Sequence, residues 1–282
     1  MSPAHESAAW DAQLAQAGLR RGEDGVWYST ASDRISYPAD GNAACLQIED
    51  NSFWFRHRNR CIVALAQRFH PAGTLVDIGG GNGYVAAGLL AAGVECILVE
   101  PGADGAKAAR RRGVDTVICA TLSGAGLPPE SLPAAGMFDV LEHIEDEQGA
   151  LSGVHALLRP GGTLFITVPA YAFLTSEDDR EAGHFRRYTV RGLSRALGQA
   201  GFEMRYASYM FAPLPLPVFV ARTIPSLLGR RRNVVGHAAA EHRPEGMAAR
   251  VMDRLLDWEF ARIAAGRVVP FGTSCIAVAT RR

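Results

Sequence analysis

The feature that most constrains the fold is a glycine-rich loop between a short apolar run and an alanine-rich stretch. The apolar run covers residues 74–78, the glycines follow at once, and the alanine-rich stretch covers 84–92. Glycine lets the backbone turn with positive φ and approach a ligand without interference from a Cβ atom. The helix that follows presents free N–H groups at its start. The pattern therefore predicts a strand, a ligand-binding loop and a helix, with the loop glycines at Gly79, Gly80, Gly81 and Gly83.

Further apolar runs alternate with alanine-rich stretches through the middle of the chain. The runs cover residues 94–99, 114–119, 134–138 and 162–168. Strands separated by helices in this way predict an α/β fold, a parallel sheet with helices on both faces. Two later strands are expected near 202–209 and at 274–280. The predicted organisation is an N-terminal helical and aromatic cap at 1–70, a core at 71–210, an insertion at 211–266, and a final strand returning to the sheet at 267–282.

The composition argues against several classes of protein. The 282 residues include 29 Lys and Arg and 29 Asp and Glu, so no surplus of positive charge favours nucleic-acid binding. A hydrophobic fraction of 48% can fill a large core and excludes a disordered chain. The five cysteines are far apart and show no metal-ligand spacing, so we predict no metal site and reduced thiols. Because the first residues lack a signal-peptide pattern, we expect a cytoplasmic protein.

Two carboxylates flank the glycine loop. Glu100 ends the second apolar run, where a carboxylate can accept hydrogen bonds from both ribose hydroxyls of a nucleoside. Asp77 precedes the loop, where it is poorly placed beside a pyrophosphate and well placed beside a cationic amino-acid ligand. The glycines fit G-x-G-x-G, whereas dinucleotide-binding loops follow G-x-G-x-x-G. Because Gly80 and Gly83 keep an overlap with the dinucleotide pattern, the spacing alone leaves both ligands open.

Taken together, these stretches resemble the class I S-adenosylmethionine (SAM) dependent methyltransferases, in particular their small-molecule, type 11-like branch. The resemblance rests on residues 76–83, 99–101, 138–144 and 157–164 and covers about 74–168. It implies a Rossmann-like three-layer sandwich with a seven-stranded, mostly parallel sheet whose last strand is antiparallel. It also implies SAM as cofactor and methyl transfer to a nucleophile on a small-molecule or lipid-like acceptor.

The resemblance assigns cofactor contacts residue by residue. Asp77 and the loop would hold the methionine part of SAM, Glu100 would hold its ribose, and Asp139 would lie near the transferred methyl group. Residues 119–123 lack the acidic residue that many members place beside the adenine amine, so a backbone group or hydroxyl would serve there. The predicted cofactor-binding residues are Asp77, Gly79, Gly80, Gly81, Gly83, Glu100, Pro101, Thr121 and Asp139.

Residues beyond these motifs are candidates for acceptor chemistry. His143 and His184 are the candidate catalytic bases, since the pKa of histidine lies near neutral pH. Either Arg186 or Arg187 could hold a phosphate or carboxylate of the acceptor. The alternative for His143 is structural support, and for segment 176–188 it is an internal ion-pair network with Thr189 capping the next helix. The predicted acceptor pocket consists of Trp54, Tyr171, Arg186, Arg187 and Tyr188.

An aromatic segment lies ahead of the first core strand. Asp50, Asn51 or Ser52 could cap a helix that runs to about Phe69. Its aromatic residues at 53–55 could close over SAM or the acceptor, with residues 56–58 (Arg-His-Arg) facing outwards. The alternative is that this helix packs on the sheet.

The insertion carries an apolar, proline-rich stretch at 206–228. Three prolines remove backbone donors and Arg222 interrupts the run, which argues against a transmembrane helix. We expect a cover over the active site, with peripheral membrane contact through 210–232 or a subunit interface as alternatives. An amphipathic helix is expected at 247–264.

Two other functions compete with methyl transfer. A nicotinamide-dependent oxidoreductase would use the glycine loop for a dinucleotide, although Asp77 and the spacing speak against it. A non-catalytic module would bind SAM and transfer nothing.

Overall fold

The computed structural model describes residues 3–30, 41–69, 73–227 and 246–282. Within these ranges nine strands form one mixed sheet. The strands are β1 (Arg20–Arg21), β2 (Trp27–Tyr28), β3 (Leu75–Ile78), β4 (Cys96–Val99), β5 (Val117–Cys119), β6 (Leu132–Phe138), β7 (Leu158–Pro169), β8 (Phe202–Met210) and β9 (Ser274–Arg281). Their order across the sheet is β1-β2-β5-β4-β3-β6-β7-β9-β8.

The centre of the sheet is parallel and its two ends are antiparallel. Strands β2, β5, β4, β3, β6 and β7 run parallel to one another. Strand β9 lies antiparallel between β7 and β8. This confirms the predicted parallel sheet with an antiparallel last strand. Because β3, β4 and β6 are parallel neighbours, their carboxyl ends meet at one edge, where the predicted cofactor residues follow them.

The prediction of seven strands was too low. The N-terminal segment, predicted only as a cap, adds β1 and β2 to the edge of the sheet, where Trp27 pairs with Ile118 of β5. The Trp27 side chain is buried, and its indole nitrogen donates a hydrogen bond to Asp11 of the first helix. A strand as short as β2 has no periodicity that sequence could reveal, and it forms because Trp27 fills the space beside β5.

Helices cover both faces of the sheet. They are α1 (Pro3–Gln16), α2 (Gly41–Ile48), α3 (Phe53–Arg68), α4 (Tyr84–Ala91), α5 (Ala103–Arg111), α6 (Glu147–Leu157), α7 (Glu177–Glu181), α8 (Val190–Gln199), α9 (Pro215–Val218), α10 (Ile224–Leu227) and α11 (Gly246–Ala264). Alternate residues of each core strand enter two separate cores, as a buried sheet requires. One core contains side chains of α1, α6 and α8, and the other contains side chains of α3, α4, α5 and α11.

Hydrogen-bonding side chains begin two of these helices. Ser52 accepts hydrogen bonds from the backbone N–H groups of Trp54 and Phe55, so it is the residue that caps α3. Thr189 accepts one from Gly192 and caps α8, as the sequence predicted. Each cap satisfies donors that have no partner inside the helix.

The insertion is fastened to α3 by a buried carboxylate. Glu259 of α11 is fully buried and accepts hydrogen bonds from the backbone N–H groups of Phe211 and Ala212, each at 2.6 Å. The same carboxylate lies 2.7 Å from Nε2 of His57 on α3. The Phe211 ring stacks on Trp54 with 5.3 Å between ring centroids. Residues 211–214 therefore pack against the helix that precedes the core. None of the helices among the described residues combines the length and apolar character needed to cross a bilayer.

Candidate active site

A cavity of about 1230 Å³ opens at the carboxyl edge of β3, β4 and β6. Ligand pockets usually measure about 300–1,000 Å³, so this one has room for two small molecules side by side. The predicted site residues that line it are Trp54, Asp77, Gly79, Gly80, Gly81, Glu100, Pro101, Thr121, Asp139, His143, His184 and Arg187.

The glycine loop is shaped by positive φ and by close neighbours. Gly79 and Gly81 have φ values of +70° and +53°. A Cβ atom on Gly80 would lie 2.5 Å from the side chain of Leu98. Gly83 also has positive φ, but it does not line the cavity: a Cβ there would lie 2.7 Å from Ala109. Gly83 therefore allows close packing of α4 against α5, and a cofactor contact at this residue stays a prediction.

Asp77 presents a buried carboxylate to the cavity. Neither of its oxygens has a hydrogen-bond partner among the residues that the structure describes, and the side chain is fully buried. Burial, with a smaller contribution from the charge of Glu100, raises the pKa of Asp77 to about 7, and Arg58 partly offsets this. A buried carboxylate without partners is costly, so the site is completed by a ligand that brings a positive charge or hydrogen-bond donors.

Glu100 already holds the loop in shape. Its carboxylate accepts hydrogen bonds from the backbone N–H groups of Gly81 and Gly102, at 2.9 and 2.7 Å. The Asn42 amide of α2 donates a third, at 3.2 Å. Burial raises the pKa of Glu100, and these three donors work against that rise. Asn42, which sequence reasoning missed, brings α2 over the position predicted for the ribose.

The prediction that residues 56–58 face outwards is correct only for Arg56. His57 and Arg58 are 2% and 7% exposed. The Arg58 guanidinium pairs with the Asp139 carboxylate, which also accepts a hydrogen bond from Thr167. The Arg58 guanidinium also lies over the Trp54 ring, 4.9 Å from the ring centroid. The sequence does contain a signal for this burial, because Arg58 lies four residues after Trp54 and therefore on the same helix face.

Glu142, His143 and His184 form what we call the polar corner of the cavity. The rings of His143 and His184 have centroids 4.7 Å apart. Burial, followed by the charge of His184, lowers the pKa of His143 to about 4, so His143 is neutral at pH 7. Burial and the nearby Asp139 raise the pKa of Glu142 well above its ordinary value. Val140 packs against the position of a Cβ on Gly79, so this corner directly adjoins the glycine loop.

Asp179 supports the polar corner from behind. Its Oδ1 lies 2.8 Å from Nδ1 of His184 and accepts a hydrogen bond from Nε of Arg187, also at 2.8 Å. Burial alone would raise the pKa of Asp179, but the His184 hydrogen bond and the Arg187 guanidinium outweigh it and hold the pKa well below its usual range. Asp179 also completes a capping box with Ser176 at the start of α7. The sequence did not distinguish Asp179 from the neighbouring acidic residues of this segment.

Three predicted acceptor-pocket residues lie outside the cavity wall. Tyr171 stacks between Tyr209 and Phe173. The Arg186 guanidinium donates hydrogen bonds to the carbonyl groups of Ile144 and Glu145. The buried Tyr188 donates its hydroxyl to Glu147. Each of these side chains is engaged in packing or internal hydrogen bonds and does not line the cavity, so a role in acceptor binding stays a prediction for all three.

The insertion supplies an apolar wall to the same cavity. Leu214, Pro217, Val218 and Ala221 line it from the segment that includes α9, and Met252 lines it from α11. Trp54 adds an aromatic face from α3. The cavity thus has an apolar side, a polar corner and the glycine loop.

The sequence matches a family described as a methyltransferase domain over residues 50–207, more than half of the chain. The chain belongs to this family and is a class I, SAM-dependent methyltransferase with the Rossmann-like fold. SAM fits the site described above, because its ammonium and sulfonium groups are cationic and Asp77 is a buried carboxylate without partners. The cavity residues at the glycine loop and Glu100 are those that would hold it.

Solved methyltransferases share the fold at low sequence identity. A SAM-dependent methyltransferase from Thermotoga maritima, described as a possible histamine N-methyltransferase, is 18% identical with a TM-score of 0.54, covering 88% of this chain and 100% of its own. Phosphoethanolamine N-methyltransferase 2 from Haemonchus contortus, in complex with SAM, is 19% identical with a TM-score of 0.54. That match covers 88% of this chain but only 58% of the Haemonchus protein. No curated protein gave a significant sequence match.

Proposed function

We propose that this enzyme transfers the methyl group of SAM to a hydroxyl group of a largely apolar small molecule or lipid-like acceptor. The observation that carries the proposal is the cavity itself. Its polar corner adjoins the glycine loop, and an apolar wall from the insertion bounds the same space. A hydroxyl at the polar corner can therefore belong to a molecule whose remainder contacts Trp54, Leu214 and Met252.

SAM supplies a methyl group that its sulfonium already activates, so the protein's main contribution is alignment of the acceptor oxygen. The oxygen forms a bond to the methyl carbon while the carbon–sulfur bond breaks, and the hydroxyl proton must leave. His143, His184 and Glu142 lie where such a proton can be received or its loss assisted. Asp179 fixes the His184 ring through Nδ1.

We propose no anionic head group on the acceptor, because the arginines that line this cavity already have acidic partners. Arg187 pairs with Asp179 and donates to the carbonyl group of Ala170. Arg222 lies 3.4 Å from Asp178. Arg58, the third arginine that lines the cavity, pairs with Asp139. All three lining arginines thus have internal acids as partners. For this reason the proposed acceptor is not phosphoethanolamine, which is named for the Haemonchus enzyme.

A matched set of acceptors tests the proposal. The enzyme would be assayed with SAM and 1-naphthol, 1-naphthylamine or 1-naphthoic acid, which share one apolar ring system. Formation of S-adenosylhomocysteine and of the methylated product would be measured by mass spectrometry. We expect methylation of the hydroxyl compound at least about tenfold faster than of the others, because loss of its proton at the polar corner leaves a nucleophilic naphtholate oxygen, whereas the N–H group of the amine is far less acidic and the carboxylate of the acid is a weaker nucleophile. Faster methylation of the amine, the acid or phosphoethanolamine would refute it.

A second experiment tests the polar corner. His184→Asn should lower kcat about 100-fold or more and leave SAM affinity unchanged, since proton transfer typically contributes about 10²–10⁴-fold. His155→Asn is the matched control, because His155 packs against Phe202 away from the cavity. If His184→Asn keeps the wild-type kcat with the hydroxyl acceptor, the polar corner has no role in turnover.

The outer face of the cover supports a lipid-like acceptor. Residues 215–227 line the cavity on one side, and on the other they expose Leu216, Val220, Ile224 and Leu227, which are 38–75% exposed. An apolar face of this kind can lie in a membrane surface and admit a lipid-linked molecule to the cavity beneath. The basic residues 230–232 lie outside the described residues.

Vesicle sedimentation tests this contact. Wild-type protein should co-sediment with phosphatidylcholine vesicles, and a Leu216→Gln, Leu227→Gln double variant should lose most of that binding. Glu203→Gln, on the far strand β8, is the control. Equal sedimentation of the wild type and the double variant would exclude membrane contact through this segment.

A further inference from the structure

The three side chains of the polar corner have the arrangement of a metal-binding site. Each offers one ligand atom, and the three atoms all lie within 4.8 Å of one another. Glu142 and His143 belong to the turn that follows β6, while His184 follows α7. The loop after α7 brings them together, since the backbone N–H of Phe185 donates to the carbonyl group of Glu142 at 2.8 Å.

A second and independent observation points to a ligand at this place. Glu142 is 1% exposed, and its Oε2 atom has no hydrogen-bond partner among the described residues. Burial of a carboxylate oxygen without a donor is costly, and buried carboxylates are normally paired or coordinate a metal. Arg58, which could have paired with Glu142, is bound to Asp139 instead.

The surroundings of His184 also match those of a metal ligand. Histidine ligands usually give their other ring nitrogen to a carboxylate, which fixes the ring. Here Nδ1 of His184 is engaged with Asp179 at 2.8 Å, so Nε2 is the ring nitrogen that remains for a ligand. Asp179 is itself held by Arg187 and by the backbone N–H of Ser176. The carboxylate that orients His184 is therefore rigidly placed.

We propose that Glu142, His143 and His184 bind a divalent transition-metal cation, with Zn²⁺ as the probe ion. Two imidazoles and one carboxylate form a three-ligand set that leaves a coordination position open. That position faces the cavity, because all three residues line it. The role of the cation rests on the proposed function: it would bind the acceptor's hydroxyl oxygen, lower its pKa and favour release of the proton to solvent before methylation. Cation binding itself does not depend on any acceptor.

Metal titration tests the proposal without an acceptor. Chelator-treated full-length protein would be titrated with Zn²⁺ in competition with a chromophoric chelator. We expect one ion per chain, and Glu142→Gln and His184→Asn should weaken binding by more than about 100-fold, whereas Asp179→Asn should weaken it by about 10–100-fold. His155→Asn should bind like the wild type. Titration with SAM shows in parallel that each variant is folded.

The outcomes separate this inference from the proposed function. Wild-type protein that binds SAM but not Zn²⁺ overturns the inference, as does equal Zn²⁺ binding by the wild type and both ligand variants. If the ligand variants do not fold, histidine modification by diethyl pyrocarbonate is mapped on the wild type. Protection of His143 and His184 by Zn²⁺ supports the site, and equal labelling with and without Zn²⁺ overturns it. Zn²⁺ binding without methylation of hydroxyl acceptors would contradict only the proposed function.

Discussion

The carboxylate of Asp77 lends itself to a test that separates stability from binding. Asp77→Asn removes the charge and keeps nearly the same size. In the ligand-free protein Asp77 is fully buried without a hydrogen-bond partner among the described residues, and burial raises its pKa from 3.8 to about 7. The variant should therefore fold more stably than the wild type at alkaline pH, while it binds SAM more weakly.

The magnitude follows from that pKa. One pKa unit corresponds to about 1.4 kcal/mol, so ionised Asp77 costs the folded protein about 4 kcal/mol relative to the unfolded chain. The pKa of Asp77 is higher in the folded protein than in the unfolded chain, so protonation of Asp77 favours folding. This contribution to stability is fully present below pH 3.8. That contribution is lost as the pH rises to about 7 and beyond. At pH 8 the ligand-free Asp77→Asn protein should be more stable by up to about 4 kcal/mol.

Binding should change in the opposite direction. SAM is cationic and needs the ionised carboxylate, so wild-type affinity should rise about tenfold from pH 6 to pH 8, as the ionised fraction of Asp77 does. The variant should lack this rise, and at pH 8 it should bind about 10–100-fold more weakly through loss of a charge-assisted hydrogen bond. Because both proteins see the same ligand, the ratio of their affinities cancels the ligand's own titration.

Urea denaturation without ligand and calorimetric titration with SAM, both at pH 6, 7 and 8, measure these effects. Lower stability of the variant at pH 8 would show that Asp77 has a structural partner. Equal SAM affinity of the two proteins at pH 8 would refute the contact between Asp77 and the cofactor.

Three further changes test other parts of the structure. Glu100→Ala should weaken SAM binding about tenfold or more, because the predicted charge-assisted hydrogen bonds to ribose and the observed ones that hold the loop at Gly81 and Gly102 are lost together; undiminished affinity in calorimetry would contradict that role. Ser52→Ala should lower the free energy of unfolding in urea by about 1 kcal/mol through loss of the α3 cap, and an unchanged midpoint would exclude the cap. Glu259→Ala should lower the free energy of unfolding by about 3–5 kcal/mol, because the N–H groups of Phe211 and Ala212 and the buried His57 lose their partner. A loss no greater than that of the exposed control Asp257→Ala would show that the insertion is held elsewhere.

Local patterns in the sequence predict the core of the fold well. The alternation of apolar runs with alanine-rich stretches specifies parallel strands and covering helices, and the glycine loop specifies a backbone that only glycine adopts easily. These features act over a few neighbouring residues, so they are visible without tertiary contacts. The same local patterns predicted Asp77 and Glu100 as cofactor-binding residues, because each lies at the carboxyl end of a buried strand.

The sequence was least informative where a side chain's environment depends on distant elements. Arg186 and Tyr188 have the chemistry of an acceptor site, yet they meet the turn after β6 and α6 on the far side of the wall. Strands β1 and β2 exist because the edge of β5 offers a partner, and two residues carry no periodicity of their own.

What the sequence by itself determined is the sheet and the glycine loop, since strand periodicity and φ preference are local properties; the resemblance to the methyltransferases, and not the loop spacing, indicated the cofactor. The tertiary structure alone decided that Arg58 pairs with Asp139, that Glu259 anchors the insertion to His57, and that Glu142 and His143 meet His184. These pairs join residues far apart in the chain, and their distances depend on how whole helices pack rather than on any short pattern.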